Sequence, residues 1–273
     1  MPTSNLNFWN IHRACAEIDL ALEEPTVDLS DVTFFSPFAL VYLGMFFRHF
    51  NSKGIRFHVM PPTAPSARGY LARQQFWERF NFDPRTVHLE RLRRLTTTTS
   101  LNDIVDIEIN DYIADQVAEK LVQVLTDCNC QLPAGKVALI VSELVDNFAQ
   151  HSGQILAALT LQFYPTPRNL LIAIADCGIG IKESLASNPR YSWLAEQPHH
   201  VAVLEAFKPT VSRKPEGGTG FTDVLEGVTE LGGQLRLATG NEYIIVKKGK
   251  AVAGQLSFDL PGVQIELSLP ERK

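Results

Sequence analysis

Glu143, Asn147 and His151 stand four residues apart, so on a helix they share one face, beside an apolar stripe of Ile140, Leu144 and Phe148. An Asn amide oxygen can ligate magnesium, which keeps several waters and completes its shell from phosphates. A carboxylate one turn earlier can orient a water or hydroxyl for attack on a phosphoryl group. The same spacing also describes an exposed polar face of an amphipathic helix, and spacing alone does not choose the chemistry. Asp176-Cys177-Gly178-Ile179-Gly180-Ile181 follows an apolar run, where one acid and two glycines begin a turn rather than extend a strand. A buried carboxylate there can accept a hydrogen bond from an exocyclic amine such as that of adenine; an ordinary Asp-Gly turn is the alternative. Gly217-Gly218-Thr219-Gly220-Phe221 leads straight into a helical pattern, an arrangement that aims backbone N–H groups at an anion, although a flexible tight turn has the same composition. It is not a Walker A loop, because no Gly-Lys-Ser/Thr follows, and no βαβ unit surrounds it as a dinucleotide fingerprint requires.

The elements that must carry these residues are legible around them. DYIADQVAEKLVQVLTD has helical apolar spacing, and LPAGKVALIVSELVDNFAQHSG reads as a second helix opened by Pro133 and closed by Gly153. QILAALTLQFY and NLLIAIADCG read as strands. FTDVLEGVTELGG reads as a helix stopped by paired glycines, and QLRLATG, EYIIVKK, KAVAGQLSFDL and VQIELSLP as four further strands. Helices on one face of a mostly antiparallel sheet account for this order. Residues 182–216, rich in Pro and Ser, are expected to form a mobile lid between the two glycine motifs. Upstream, PTVDLSDVTF, the apolar FALVYLGMFFRHFNSKG and IRFHVMPP make a βαβ unit, followed by a helix over SARGYLARQQFWERFNF. RLRRLTTTTSLND has no hydrophobic period and marks a boundary near 91–101, which divides the chain into domains at 1–95 and 102–273. The fold class is therefore α/β (α+β).

With 45% hydrophobic and 20% charged residues, the 273-residue chain can bury real cores. Its longest apolar stretch, Phe34 to Phe47, is interrupted by Ser36 and Pro37 and falls short of the ~20 residues of a membrane helix. No secretory pattern opens the sequence, and four scattered cysteines suit reduced thiols, so a cytoplasmic protein that does not engage a membrane is expected. Residues 1–100 hold 11 basic against 9 acidic side chains and residues 101–273 hold 14 against 21, which argues against nucleic-acid binding by the second half.

Taken in order, E-L-V-D-N-F-A-Q-H-S on a helix, D-C-G-I-G-I after a strand and G-G-T-G-F-T before a helix resemble the N, G1 and G2 boxes of the GHKL ATPase superfamily. The resemblance covers about 105–270 and implies a Bergerat-fold two-layer α/β sandwich that takes ATP with magnesium. It implies Glu143 as general base, Asn147 as magnesium ligand and Asp176 as adenine reader. Gly178 and Gly180 would line the ring, Gly218 and Gly220 would face the phosphates, and Ile181, Thr219 and Phe221 would complete the nucleotide-binding residues. Within the superfamily the motifs are most similar to bacterial anti-sigma-factor serine kinases, which are commonly homodimers. A histidine kinase would need an acceptor His on a helix hairpin, and His12, His49, His58 and His88 have no such context. Where those serine kinases usually place a basic residue before the second loop, this chain has Pro215-Glu216-Gly217, with Arg213 and Lys214 as substitutes.

Residues 20–90 resemble the STAS (anti-sigma antagonist) fold through V-D-L-S-D-V-T-F-F-S-P-F-A-L, but Pro37 stands at the phosphoacceptor position, with Ser36 adjacent. The resemblance implies a docking or autoregulatory module fused to its own kinase. The partner it implies is a separate STAS-type antagonist or a sigma-like regulator. Two activities follow from the resemblance: transfer of the γ-phosphoryl of ATP to a Ser or Thr of that partner, or an ATP-dependent switch of protein binding without chemistry.

Overall fold

The computed structural model describes residues 4–80, 105–108, 113–153, 156–209, 211 and 220–271. The expected boundary near 91–101 lies outside them. The chain opens with β1 (Asn5–Leu6), α1 (Ile11–Ala16), β2 (Thr26–Asp28), β3 (Phe34–Phe35), α2 (Pro37–Ser52), β4 (His58–Met60), α3 (Pro65–Arg73) and α4 (Phe76–Arg79). β2 and β4 pair in parallel around α2, which is the expected βαβ unit, and β1 pairs in parallel with β3. α2 starts where it does because Pro37 sits in its first turn and the Ser36 hydroxyl accepts the Ala39 N–H at 3.2 Å. Ser36 is itself buried by that role. The single helix expected over 66–82 is two, broken at Gln75, whose φ of 51° turns the chain left-handed. The break swings Phe76 and Phe80 back onto α2, where Phe80 lies against Gly44 and leaves no room for a side chain.

The second part comprises β5 (Val105–Glu108), α5 (Ile113–Asp127), α6 (Ala134–His151), β6 (Leu156–Tyr164), β7 (Asn169–Ala175) and α7 (Gly180–Ala186). A 3-10 segment (Pro189–Glu196), α8 (His199–Ala206), α9 (Gly220–Glu230), β8 (Gln234–Lys247) and β9 (Lys250–Pro270) complete it. The strands form one antiparallel sheet in the order β5-β6-β7-β9-β8. The four C-terminal strands expected from the sequence are two long ones. Gly240, at φ 57°, sits at register shifts between Ala238 and Glu242, so it makes a bulge rather than a turn. The stretch expected to be a mobile lid is, over 182–209, helical and partly buried: Leu185, Tyr191, Leu194, Ala202 and Val203 join the core. Pro189, Pro198 and Asn188 act as helix starters, Pro189 in the first turn of the 3-10 segment, Pro198 as the residue before α8, and Asn188 accepting the Arg190 N–H.

The sheet is two-faced. Leu159, Leu161, Phe163, Leu170, Ile172, Ile174, Leu235, Leu237, Ile265 and Leu267 share one core with α5, α6 and α9. On the other face, Ala158, Ala173, Ala175 and Ala238 are small and fully buried in a second core with the residues of α1 and α2. α2 lies across β6, β7 and β9, and α1 against β9. The molecule is thus a mixed α/β protein whose antiparallel sheet is covered on both faces, by its own helices and by the N-terminal part. No helix of the described residues is long and apolar enough to cross a membrane.

Candidate functional site

α6 buries Val137, Ile140, Val141, Leu144, Val145 and Phe148, so the remaining arc of the helix fixes where its polar residues point. Glu143, Asp146 and Asn147 are half-buried on that arc. α9 packs against α6 closely enough that Gly227 lies on Ile140; a Cβ there would come within 2.8 Å of the Ile140 side chain. This brings Asp223, in the first turn of α9, near Glu143, while Asp115 of α5 faces Asp146. Both α6 carboxyls are held above their ordinary pKa, first by burial and then by these neighbouring acids. Glu143 is accordingly a better proton acceptor than a free carboxylate. The Asn147 Nδ2 is buried with no hydrogen-bond partner among the described residues, a polar end that an external ligand could satisfy.

The Asp176 turn abuts the C-terminal end of the same helix. The Ile179 N–H donates to the Ser152 carbonyl at 2.9 Å, and a Cβ on Gly178 would lie 2.1 Å from that oxygen, so only glycine fits. The Gly178 N–H donates to the Asp176 Oδ1 at 2.7 Å. Gly262, at φ 88°, is pressed against the same carboxyl; a Cβ there would come within 2.6 Å of Oδ1. Asp176 is buried, and burial pushes its carboxyl up to about 7 against the opposing pull of hydrogen bonds from the Gly178 and Val263 backbone. Gly180, at φ 77°, opens α7 with its α-carbon facing the Thr239 hydroxyl and Gly262. Ile181 is buried in the helix-side core.

Of the second glycine motif, Gly218 and Thr219 lie outside the described residues, as do Arg213 and Lys214. Gly220 is the first residue of α9. Phe221 packs against Phe207 with ring centroids 5.7 Å apart, and the Thr222 hydroxyl donates to the Phe207 carbonyl at 3.3 Å, tying the start of α9 to the end of α8. α8 is fixed at its other end by the buried Glu242 carboxylate, which accepts the His200 N–H at 2.7 Å. His151 contributes the last residue of α6.

One helix therefore carries Glu143 and Asn147 and meets the Asp176 turn at its C-terminal end, while α9 brings its first turn alongside. At 1.5 Å per residue, Glu143 and Ser152 are about 13 Å apart along α6, a span comparable with that from the base to the terminal phosphate of a nucleoside triphosphate. Sequence reasoning missed Asp115, Asp146 and Asp223, although Asp146 stands at the i+3 position from Glu143 and could have been read from helical spacing. Thr239, Gly262 and Gln264, whose Nε2 donates to the Asp176 carbonyl at 3.1 Å, come from β8 and β9 and have no local signal. No family model matches this chain. No curated protein matches it either.

Proposed function

We propose that the chain is a GHKL-type, ATP-binding regulatory protein whose C-terminal part transfers the γ-phosphoryl of ATP to a Ser or Thr of a protein partner. The observation that carries this reading is the placement of three separated sequence features on one helix and its two neighbours: Glu143 and Asn147 on α6, the Asp176 turn hydrogen-bonded to Ser152, and the start of α9 beside Glu143. The site's chemistry fits the expected ligands. The acids Asp115, Glu143, Asp146 and Asp223 would repel a bare triphosphate, so a divalent cation suits it; the Asn147 amide oxygen would ligate the cation, and its buried, unpaired Nδ2 would donate to a phosphate oxygen. Magnesium held through Asn147 would neutralise charge on the phosphates. Asp176 accepts the exocyclic amine of adenine, from a turn whose close packing only Gly178 and Gly262 permit. Glu143 takes the proton of an incoming hydroxyl as its oxygen bonds to the γ-phosphorus and ADP departs with the electrons of the broken bond. The partner class that the resemblance implies is a separate STAS-type antagonist or sigma-like regulator.

The second reading is an ATP-dependent switch that binds without turnover. It is favoured by Pro215-Glu216-Gly217, which has an acid where the serine kinases it resembles usually carry a basic residue. Transfer of label from γ-labelled ATP to co-purified proteins separates the two. The kinase reading expects labelling that falls about a hundredfold or more in Glu143→Ala with nucleotide affinity retained. Nucleotide binding with neither transfer nor hydrolysis would select the switch.

A further inference from the structure

The residue after the base-facing acid belongs to the other half of the molecule as much as to its own. The Cys177 thiol donates to the Met45 carbonyl of α2 at 3.4 Å. Burial pushes that thiol well above its ordinary pKa, so it remains a protonated donor. On the same face, Gln264 reaches from β9 to the Asp176 carbonyl, and its cross-strand partners Ala175 and Ala238 lie in the core that α2 shares with the sheet. The seating is extensive. Phe258 of β9 meets Phe46 and Phe50 of α2 at 5.4 and 6.1 Å, and the Ser257 N–H donates to His12 Nδ1 at 3.0 Å. Arg236, paired with the buried Glu266, lies over the rings of Phe8 and Trp9. Small residues on the sheet let the helix backbone approach near enough for a main-chain carbonyl to hold a turn that begins where β7 ends.

We propose that the N-terminal part is a positioning element of the nucleotide site, with α2 fixing the Asp176-Cys177-Gly178 turn through Cys177, so that base selection depends on how the N-terminal part is seated. This rests on the reading of Asp176 as the base-facing acid. Cys177 and Phe258 are then positioning residues, neither touching the ligand, and a partner that draws α2 off the sheet would loosen the grip on adenine while leaving the phosphate end intact.

The test is the ratio of ATP to GTP affinity, measured with fluorescent analogues in excess magnesium on the full chain, in native protein, Cys177→Ala, Cys177→Ser and Phe258→Leu. Losing one hydrogen bond predicts a fall in that ratio of about fivefold in Cys177→Ala, with part recovered in Cys177→Ser, which keeps a donor. Phe258→Leu should lower the ratio as well, and the ATP-to-ADP ratio should stay within twofold, which general loss of structure would not produce. An unchanged ATP-to-GTP ratio in Cys177→Ala and Phe258→Leu overturns the proposal. Should Cys177→Ala not fold, Cys177→Ser and Phe258→Leu decide on the same criterion. If the native chain binds neither nucleotide, the reading of the site fails, and hydrogen exchange then decides the positioning role. Faster exchange at residues 176–181 in Phe258→Leu supports it, and unchanged exchange refutes it.

Discussion

A carboxyl that burial holds near pH 7 should make nucleotide affinity depend on pH within the range where most proteins are handled. Asp176 is pushed up to about 7 from an ordinary 3.8 because it is enclosed, and only the Gly178 and Val263 backbone oppose the shift. If the ionised form accepts the adenine amine, binding draws on the ionised fraction, about one tenth at pH 6 and nine tenths at pH 8. Affinity for magnesium-ATP should therefore fall about tenfold from pH 8 to pH 6, and binding should release close to one proton at pH 6. Titration calorimetry in buffers of differing ionisation enthalpy reads both quantities, and Asp176→Asn supplies the baseline for every other titrating group, including the phosphates. The same shift acts on folding. The folded chain holds a proton that the unfolded chain gives up above about pH 4, so stability from this group is full below that pH and is lost as pH rises through 7. The loss is at most about 4 kcal/mol and should be absent in Asp176→Asn. Equal pH slopes for native and variant chains, or tighter binding at pH 6, would refute the acceptor role.

Asn147→Ala should weaken magnesium-dependent ATP binding about tenfold and leave little of the magnesium dependence, as calorimetry with and without a chelator would show; an unchanged affinity removes Asn147 from the metal. Gly178→Ala should destabilise the fold by about 1–3 kcal/mol in denaturant titration, because its Cβ would stand 2.1 Å from the Ser152 carbonyl, a backbone atom that cannot step aside. Gly135→Ala, in the first turn of α6 with nothing within 4 Å of the added carbon, should instead stabilise by about 0.5–1 kcal/mol. The pair separates close packing from helix propensity.

Much of this architecture was legible because local chemistry and tertiary role agree. The apolar stripe of α6, the apolar helix α2, the alternation of β6 and the nearly continuous apolar run of β7 are all readable from the local pattern. The errors share a physical origin, in residues whose chemistry serves two geometries. A glycine with positive φ makes a turn or a bulge, so Gly240 was expected to end a strand that in fact continues. Pro and Asn start helices as readily as they populate loops, so the Pro189 and Pro198 region was expected to be mobile. The small face of the sheet went unread because alanines in strands look like weak strand residues until a helix is known to lie on them. Ala158, Ala173 and Ala175 have meaning only opposite α2. At the site, Glu143, Asn147 and Asp176 were accessible from motif and spacing, whereas Gly262, Thr239 and Gln264 reach Asp176 and its turn from strands more than 60 residues away.

The central claim is that α6, the Asp176 turn and the loop before α9 close around one nucleotide. Hydrogen exchange measured peptide by peptide, with and without magnesium and a non-hydrolysable ATP analogue, tests it most directly. Protection should appear together in peptides covering 139–153, 176–182 and 212–222, and should vanish in all three when magnesium is chelated. Exchange that is unchanged by the analogue, or protection confined to one of these stretches, would contradict it.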